Sequence, residues 1–283
     1  MKQEKIAIVV DSGCDVPKEW LEKDFMFEVP LQIIIDDQSY FDRQNIATAD
    51  IYQQMGEGKV PKTSLPQGSD IESLFDRLAM EGYTHVLVCA ISSQLSGTYQ
   101  LFKLMAEEHD SLQIHVFDTK NMSIGAGMFA IHAAKLLKQG WKFAAIVDEV
   151  CQPARSRIFG EVETLKYLNQ GGRISHLSAT LGSVLNIKPL LTIDEEGKVV
   201  TLAKVKGRKR MARQFREEIG RALDVPTKYV VAIEGNDDLT AELNEALDQY
   251  PELTEVVHSQ IGAAFGVHVG PKVTVVVVYR MYD

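Results

Sequence analysis

Three apolar runs that each end in small polar residues constrain this chain more than any other feature. They are "KIAIVVDSGCD" (5–15), "HVLVCAISSQLSGT" (85–98) and "IHVFDTKNMSIGAG" (114–127). A strand without polar alternation is buried on both faces, as strands of a parallel sheet are. Between the first two runs Ile71, Leu74, Phe75, Leu78 and Ala79 recur at helical spacing, and Ser69 with Glu72 forms a candidate capping box. Leu101, Leu104 and Met105 give the segment after Thr98 an apolar stripe, and the spacing predicts a long helix from Met122 to Gln139. That is βαβα order, so a parallel sheet with right-handed crossovers is expected. "MFEVPLQIIID" (26–36) interrupts the alternation and reads as an edge hairpin.

After about Pro153 the texture changes. "RIFGEVE", "IKPLLTID", "KVVTLAKVK", "YVVAIEG" and "VTVVVVYR" are strand-like and alternate with short helical segments. "IDEEGKVV" (193–200) reads as a hairpin turn in which Gly197 supplies a positive φ. At 283 residues the chain exceeds the ~100–200 of one domain. The expectation is an α/β protein of two domains, a parallel-sheet α/β unit over 1–153 and an α+β unit over 154–283. Neither a flexible linker, an internal repeat nor a low-complexity tract is evident, so the two units are expected to pack closely.

Composition excludes some functions. Hydrophobic residues make up 45% and charged residues 24%, the balance of a soluble globular protein. A net charge of −9 leaves nothing to neutralise a phosphate backbone, so no nucleic-acid partner is expected. Cys14, Cys89 and Cys151 are odd in number and scattered, which fits reduced thiols in a cytoplasmic protein. None of them has metal-ligand spacing, and neither metal nor cofactor is expected. The opening "MKQEKIAIVVDSG" carries too short an apolar run for a signal peptide or a membrane span.

In open parallel sheets, ligands bind beyond the carboxyl ends of the strands. There Gly97 lets backbone approach closely, and the free amides of a helix start attract an anion, with Ser96 or Thr98 as hydroxyl donors. Taken singly, this stretch reads more simply as a helix N-cap. Three other stretches have the same character. "PKTSLPQG" (61–68) holds Thr63 and Ser64 between prolines. "LNQGGRIS" (168–175) is a helix stop followed by Arg173, and "GVHVGP" (266–271) sets His268 among glycines, as in a structural turn. Hydroxyls, one arginine and one histidine would together suit a single carboxylate or phosphate.

"DSGCDVP", "TSLP", "SSQLSGTYQ", "DTKNMSIGAG", "YLNQGGRIS", "LNIKPLLTIDEEGKV", "KVKGRKR" and "GVHVGP" follow one another in the order found in the DegV family. The chain resembles that family from about Asp11 to Pro271, with small departures at Leu65, Gln67 and Met211. These are lipid-binding proteins that include the fatty-acid-binding subunits of bacterial fatty acid kinase. The resemblance implies a DegV-like two-domain fold with a long-chain fatty acid buried between the domains. By the same resemblance Thr63, Ser96 and Gly97 meet the carboxylate, with Arg173 and His268 beside it. It further implies a carrier rather than an enzyme: a separate kinase subunit phosphorylates the carboxylate, and transient membrane contact serves lipid exchange.

Two other classes compete. A serine-dependent lipid hydrolase would use Ser93 or Ser96, yet "ISSQLSG" is not the G-x-S-x-G elbow. A phosphate- or nucleotide-binding enzyme would use the same helix start, but the chain has no G-x-x-x-x-G-K-[ST] and "SIGAG" is a weak fingerprint. One basic run also stands out. "KVKGRKR" places Lys204, Lys206, Arg208, Lys209 and Arg210 in seven residues without an acid. Such runs are commonly solvated faces. Here the run precedes the stripe Met211, Phe215 and Ile219, and the resemblance implies that Lys206, Arg208, Lys209 and Arg210 face the kinase.

Overall fold

The computed structural model describes residues 4–174, 187–235 and 238–281. Ser175, Leu185 and Asn186, which belong to the motifs above, lie outside the described residues. The first apolar runs form a parallel sheet in the order β2-β1-β6-β7, with β1 Ile6–Asp11, β2 Met26–Val29, β6 His85–Ala90 and β7 Gln113–Asp118. Every residue of β1 is buried. Val9, Val86 and Val88 face the helices Gly68–Met80 and Thr98–Glu107, against Ile71, Phe75, Leu78 and Phe102. Ile8, Val10, Leu87 and Cys89 face the helix Ser123–Lys138 on the other side. The unalternating pattern follows, since both faces are covered.

A second, mixed sheet runs β10-β9-β8-β13-β11-β12. Its strands are β8 Ser156–Val162, β9 Ile187–Ile193, β10 Val199–Lys206, β11 Tyr229–Gly235, β12 Leu253–His258 and β13 Val273–Arg280. One face packs on the amphipathic helices Arg208–Ala222 and Asp238–Ala246 through Met211, Phe215, Ile219, Leu239 and Leu243. The other face shares a core with the first sheet: Ile158, Val275, Val277 and Tyr279 join Ile8, Leu87, Phe129 and Ile131 in one cluster. The helix Ser123–Lys138 lies within that cluster and is buried nearly all round, as an evenly apolar helix must be. Its approach is close enough that a Cβ on Gly127 would stand 2.4 Å from the Cys14 carbonyl oxygen.

Three local expectations change. Residues 26–36 do not form one hairpin: β2 is a parallel edge strand of the first sheet. The hairpin lies one strand later, β3 Gln32–Ile35 with β4 Gln38–Phe41, in a small antiparallel sheet completed by β5 Lys62–Ser64. Asp36 and Asp37, at φ 48° and 64°, make its turn, which is the two-residue chemistry of tight hairpins. Ser69 and Glu72 form no capping box, because the helix already starts at Gly68 behind Gln67. His268 sits in the helix Ala263–Val269 rather than in a turn. Gly197 does turn β9 into β10 at φ 95°.

Candidate functional site

A cavity of about 260 Å³ opens beyond the carboxyl ends of β1 and β6. Thr63, Ser96, Gly97, Arg173 and His268 all line it, together with apolar Leu31, Ile91, Leu95, Met122, Val199 and Phe265. Each polar member arrives on a different device. Thr63 lies on β5, pinned to β3 opposite Ile33. Ser96 and Gly97 form the approach to the helix Thr98–Glu107, with Gly97 as its N-cap residue. Arg173 follows the helix Lys166–Gln170, where Gly172 turns the chain at φ 72°. His268 comes from the helix Ala263–Val269, whose Ala264 and Phe265 also face the cavity.

The polar groups are tied to one another and to backbone. Thr63 Oγ1 and His268 Nε2 are 2.8 Å apart. His268 Nδ1 is buried without a partner, and a Cβ on Gly171 would stand 2.1 Å from it. Burial, and then the charge of Arg173, push the His268 pKa down to about 4, so the ring is neutral near pH 7. Arg173 donates from Nε to the Leu95 carbonyl at 3.2 Å and from Nη1 to the Gly171 carbonyl at 2.5 Å. Ser96 Oγ lies 2.8 Å from Thr98 Oγ1 and accepts from the Thr98 amide at 3.3 Å. The hydroxyls are thus not the helix's N-cap: Gly97 holds that position without a side-chain bond, and Ser96 stands one residue before it on the cavity wall. A serine nucleophile would need a base beside it. The cavity's histidine is bonded to Thr63 instead, and Ser93 offers its amide to Asp118 at 3.2 Å.

The frame of the cavity contains groups that motif reasoning did not single out. Asp11, fully buried, accepts from the Gly13 and Ile91 amides at 3.0 Å each and so ties the ends of β1 and β6. Burial raises its pKa to about 7. Ser92 Oγ donates to the Gly197 carbonyl at 2.7 Å, and Lys120 Nζ to the Glu195 carbonyl at 3.0 Å. These bonds bring the β9–β10 turn, and Val199 with it, onto the strand ends. Gly197 is required there twice over, by its φ and because a Cβ would stand 2.2 Å from Ser92 Oγ.

The basic run is elsewhere. Lys206 ends β10, Gly207 turns at φ 84°, and Arg208, Lys209 and Arg210 open the helix Arg208–Ala222, all exposed. Lys206, Arg208 and Arg210 line a groove of about 850 Å³ with Lys188, Lys272 and Glu163. Arg208 pairs with Asp238 at 2.8 Å. Among the described residues no cluster of His, Cys, Asp or Glu could hold a metal ion, and no helix is long and apolar enough to cross a membrane.

Comparison with known proteins adds to this geometry. A DegV family model matches residues 5–281. A DegV domain-containing protein of Clostridium acetobutylicum is 36% identical over 279 residues, covering 98% of this chain and 99% of the relative. The structure of a fatty-acid-binding DegV family protein from Thermus thermophilus superposes with a TM-score of 0.91 at 30% identity, covering 98% of this chain and 100% of that one. DegV of Bacillus subtilis, described as a fatty acid binding protein, gives 0.87 at 25% identity, covering 98% and 100%.

Proposed function

This chain belongs to the DegV family, and on that premise we propose that it binds a long-chain fatty acid in the cavity and presents the carboxylate to a partner kinase. The observation that carries the reading is the cavity itself: hydroxyls, an arginine and a histidine gathered from separate segments, with apolar walls behind them. A carboxylate taken out of water needs donors and a compensating charge, because an unpaired buried charge is very costly. Arg173 supplies the charge. His268 Nδ1 is buried without a partner, which costs least when it carries no proton; the tautomer with its proton on Nε2 donates to Thr63 Oγ1 and leaves the Thr63 hydroxyl proton to point at the ligand. Ser96 and the amide at Gly97, which also line the cavity, supply further donors.

The tail needs only apolar surface, at about 0.8 kcal/mol per buried methylene. Leu31, Ile91, Leu95, Met122 and Phe265 offer it. A volume of about 260 Å³ sits near the lower edge of the ~300–1,000 Å³ of ligand cavities, so a long chain enters with movement of flexible walls such as Met122. The exposed Lys206, Arg208, Lys209 and Arg210 fit an acidic surface on the kinase, and lipid exchange would proceed by transient contact with a membrane. Thr63→Ala with Ser96→Ala tests the head-group assignment. Each charge-assisted bond is worth ~1.5–3 kcal/mol, so the dissociation constant for oleate should rise by at least about tenfold. Unchanged affinity in a folded double variant would overturn it.

A further inference from the structure

Behind the cavity lies a buried network that the proposed function leaves unexplained. Ser123 Oγ is within hydrogen-bond distance of both Asp15 Oδ2 and Glu234 Oε1. All three residues are almost wholly enclosed, Asp15 and Ser123 at 0% and Glu234 at 1% exposure. A hydroxyl carries one proton and can donate to only one of two carboxyls. Were both ionised, the second contact would set a lone pair against a negative oxygen in a dry interior. We propose that Asp15 and Glu234 share one proton through Ser123, and that this shared proton positions the helix Ala263–Val269 and with it His268.

The mechanical link is direct. Asp15 Oδ1 accepts the Gly262 amide at 2.9 Å, and the Asp15 carbonyl accepts from Ser259 Oγ at 2.5 Å. A Cβ on Gly262 would stand 2.3 Å from Asp15 Oδ1, so the carboxyl and the helix start are in direct contact. Within the next two turns the same helix presents Phe265 and His268 to the cavity. Asp15, Ser123 and Glu234 are therefore positioning residues; none of them lines the cavity.

The surrounding charges do not replace the proton. Arg43 reaches Asp15 at 3.4 Å but also pairs with Glu28 at 3.0 Å. Asp42, which accepts the Ala263 amide at 3.1 Å, adds a further buried acid, and Tyr52 faces the same charges. Glu234 Oε2 is buried without a partner, an arrangement far easier for a neutral carboxyl than for an ionised one. Burial pushes both carboxyls up, that of Glu234 to about 7, and the two titrate as a pair.

The sign follows from linkage. The closed network holds a proton that ionised, opened carboxyls do not, so opening becomes easier as pH rises from the ordinary carboxylate range, about 4, towards about 7. The test is hydrogen exchange at the amides of residues 262–269 in the ligand-free protein, corrected for intrinsic exchange, between about pH 5 and about pH 8. The opening constant should rise with pH, and Glu234→Gln, which keeps a donor for Ser123, should lower that slope by one proton, or about tenfold per pH unit. Asp42 contributes equally to both proteins. A wild-type opening constant independent of pH, or the same slope in both, overturns the proposal. Should the variant not fold, carboxyl carbon NMR of the wild type decides: Asp15 and Glu234 both ionised by about pH 5 would refute a shared proton. The link to His268 rests on the fatty-acid reading, and oleate affinity should fall with pH alongside protection. Opening that depends on pH in a protein that binds no oleate at any pH would refute the ligand and leave the shared proton standing.

Discussion

Gly171→Ala gives the sharpest structural test of the head-group geometry. Gly171 has an ordinary φ of −78°, so alanine brings no backbone strain. Its Cβ, however, would stand 2.1 Å from His268 Nδ1 and 2.7 Å from Cε1. Carbon contacts settle near ~3.5 Å, so the ring must retreat by about 1.4 Å. A shift of that size cannot keep the 2.8 Å bond to Thr63. Losing it costs ~0.5–1.5 kcal/mol, and a misaimed Thr63 hydroxyl loses a charge-assisted bond of ~1.5–3 kcal/mol to the ligand. The first cost falls on free and bound protein alike, so only the second, about 1.5–3 kcal/mol, enters the affinity, a fall of about tenfold to about 150-fold. Gly172→Ala is the matched control. Its Cβ would meet nothing within 4 Å, while its φ of 72° charges the fold ~1–2 kcal/mol. The assay pairs titration with a fluorescent fatty acid and urea unfolding of each variant. Gly171→Ala should lose affinity, and Gly172→Ala should lose stability with affinity nearly unchanged. Wild-type affinity in a folded Gly171→Ala protein would refute the role given to His268 and Thr63.

Arg173→Ala should weaken fatty-acid binding while the protein stays folded, and Arg173→Lys should recover only part of it, because a point charge does not replace a guanidinium fork. Full affinity in both variants would reduce Arg173 to a residue after a helix stop. Arg208→Glu with Lys209→Glu should leave fatty-acid affinity intact but slow phosphorylation of the bound acid through a lower, salt-sensitive association rate. Wild-type rates at low ionic strength would rule that docking surface out. Stability should also depend on pH with a definite sign. Burial raises the pKa values of Asp11, Asp15, Glu28, Asp42 and Glu234, so each contribution is full below the ordinary carboxylate range and lost as pH rises through the raised value, about 7 for Asp11 and Glu234. His115, His132 and His268 are lowered and act in the opposite sense below the ordinary histidine value of 6.5. Asp11 and the Asp15–Glu234 pair hold extra protons up to about 7, whereas the histidines act only below 6.5, so the urea midpoint should be lower near pH 7.5 than near pH 6.5; a higher midpoint near pH 7.5 would contradict this.

The parallel sheet was legible because burial on both faces removes polar alternation, which leaves runs such as Ile6–Val10 unmistakable. The strand ends were legible for the complementary reason, since small polar residues must follow where the sheet stops. Local geometry was harder. The glycines flanking His268 suggest a turn, yet Gly266 lies inside the helix Ala263–Val269, where Tyr52 packs 3.0 Å from its Cβ position; Gly270 alone ends the helix at φ 81°. Pro30 split the segment 26–36 between two sheets, a division decided by partners far away in the chain. The buried acids were least visible. Asp15, Arg43 and Ser123 adopt φ values of 47°, 62° and 49°, conformations that polar residues take in any turn. Only closure of the tertiary structure places Glu234, more than a hundred residues on, against Ser123.

Mass spectrometry of lipid extracted from protein purified without denaturant decides whether this cavity holds a fatty acid. One long-chain fatty acid per chain should be recovered from the wild type, and much less from Thr63→Ala with Ser96→Ala. Wild-type protein that yields no fatty acid, or that retains a nucleotide or a phosphorylated metabolite instead, would show that the cavity serves another ligand.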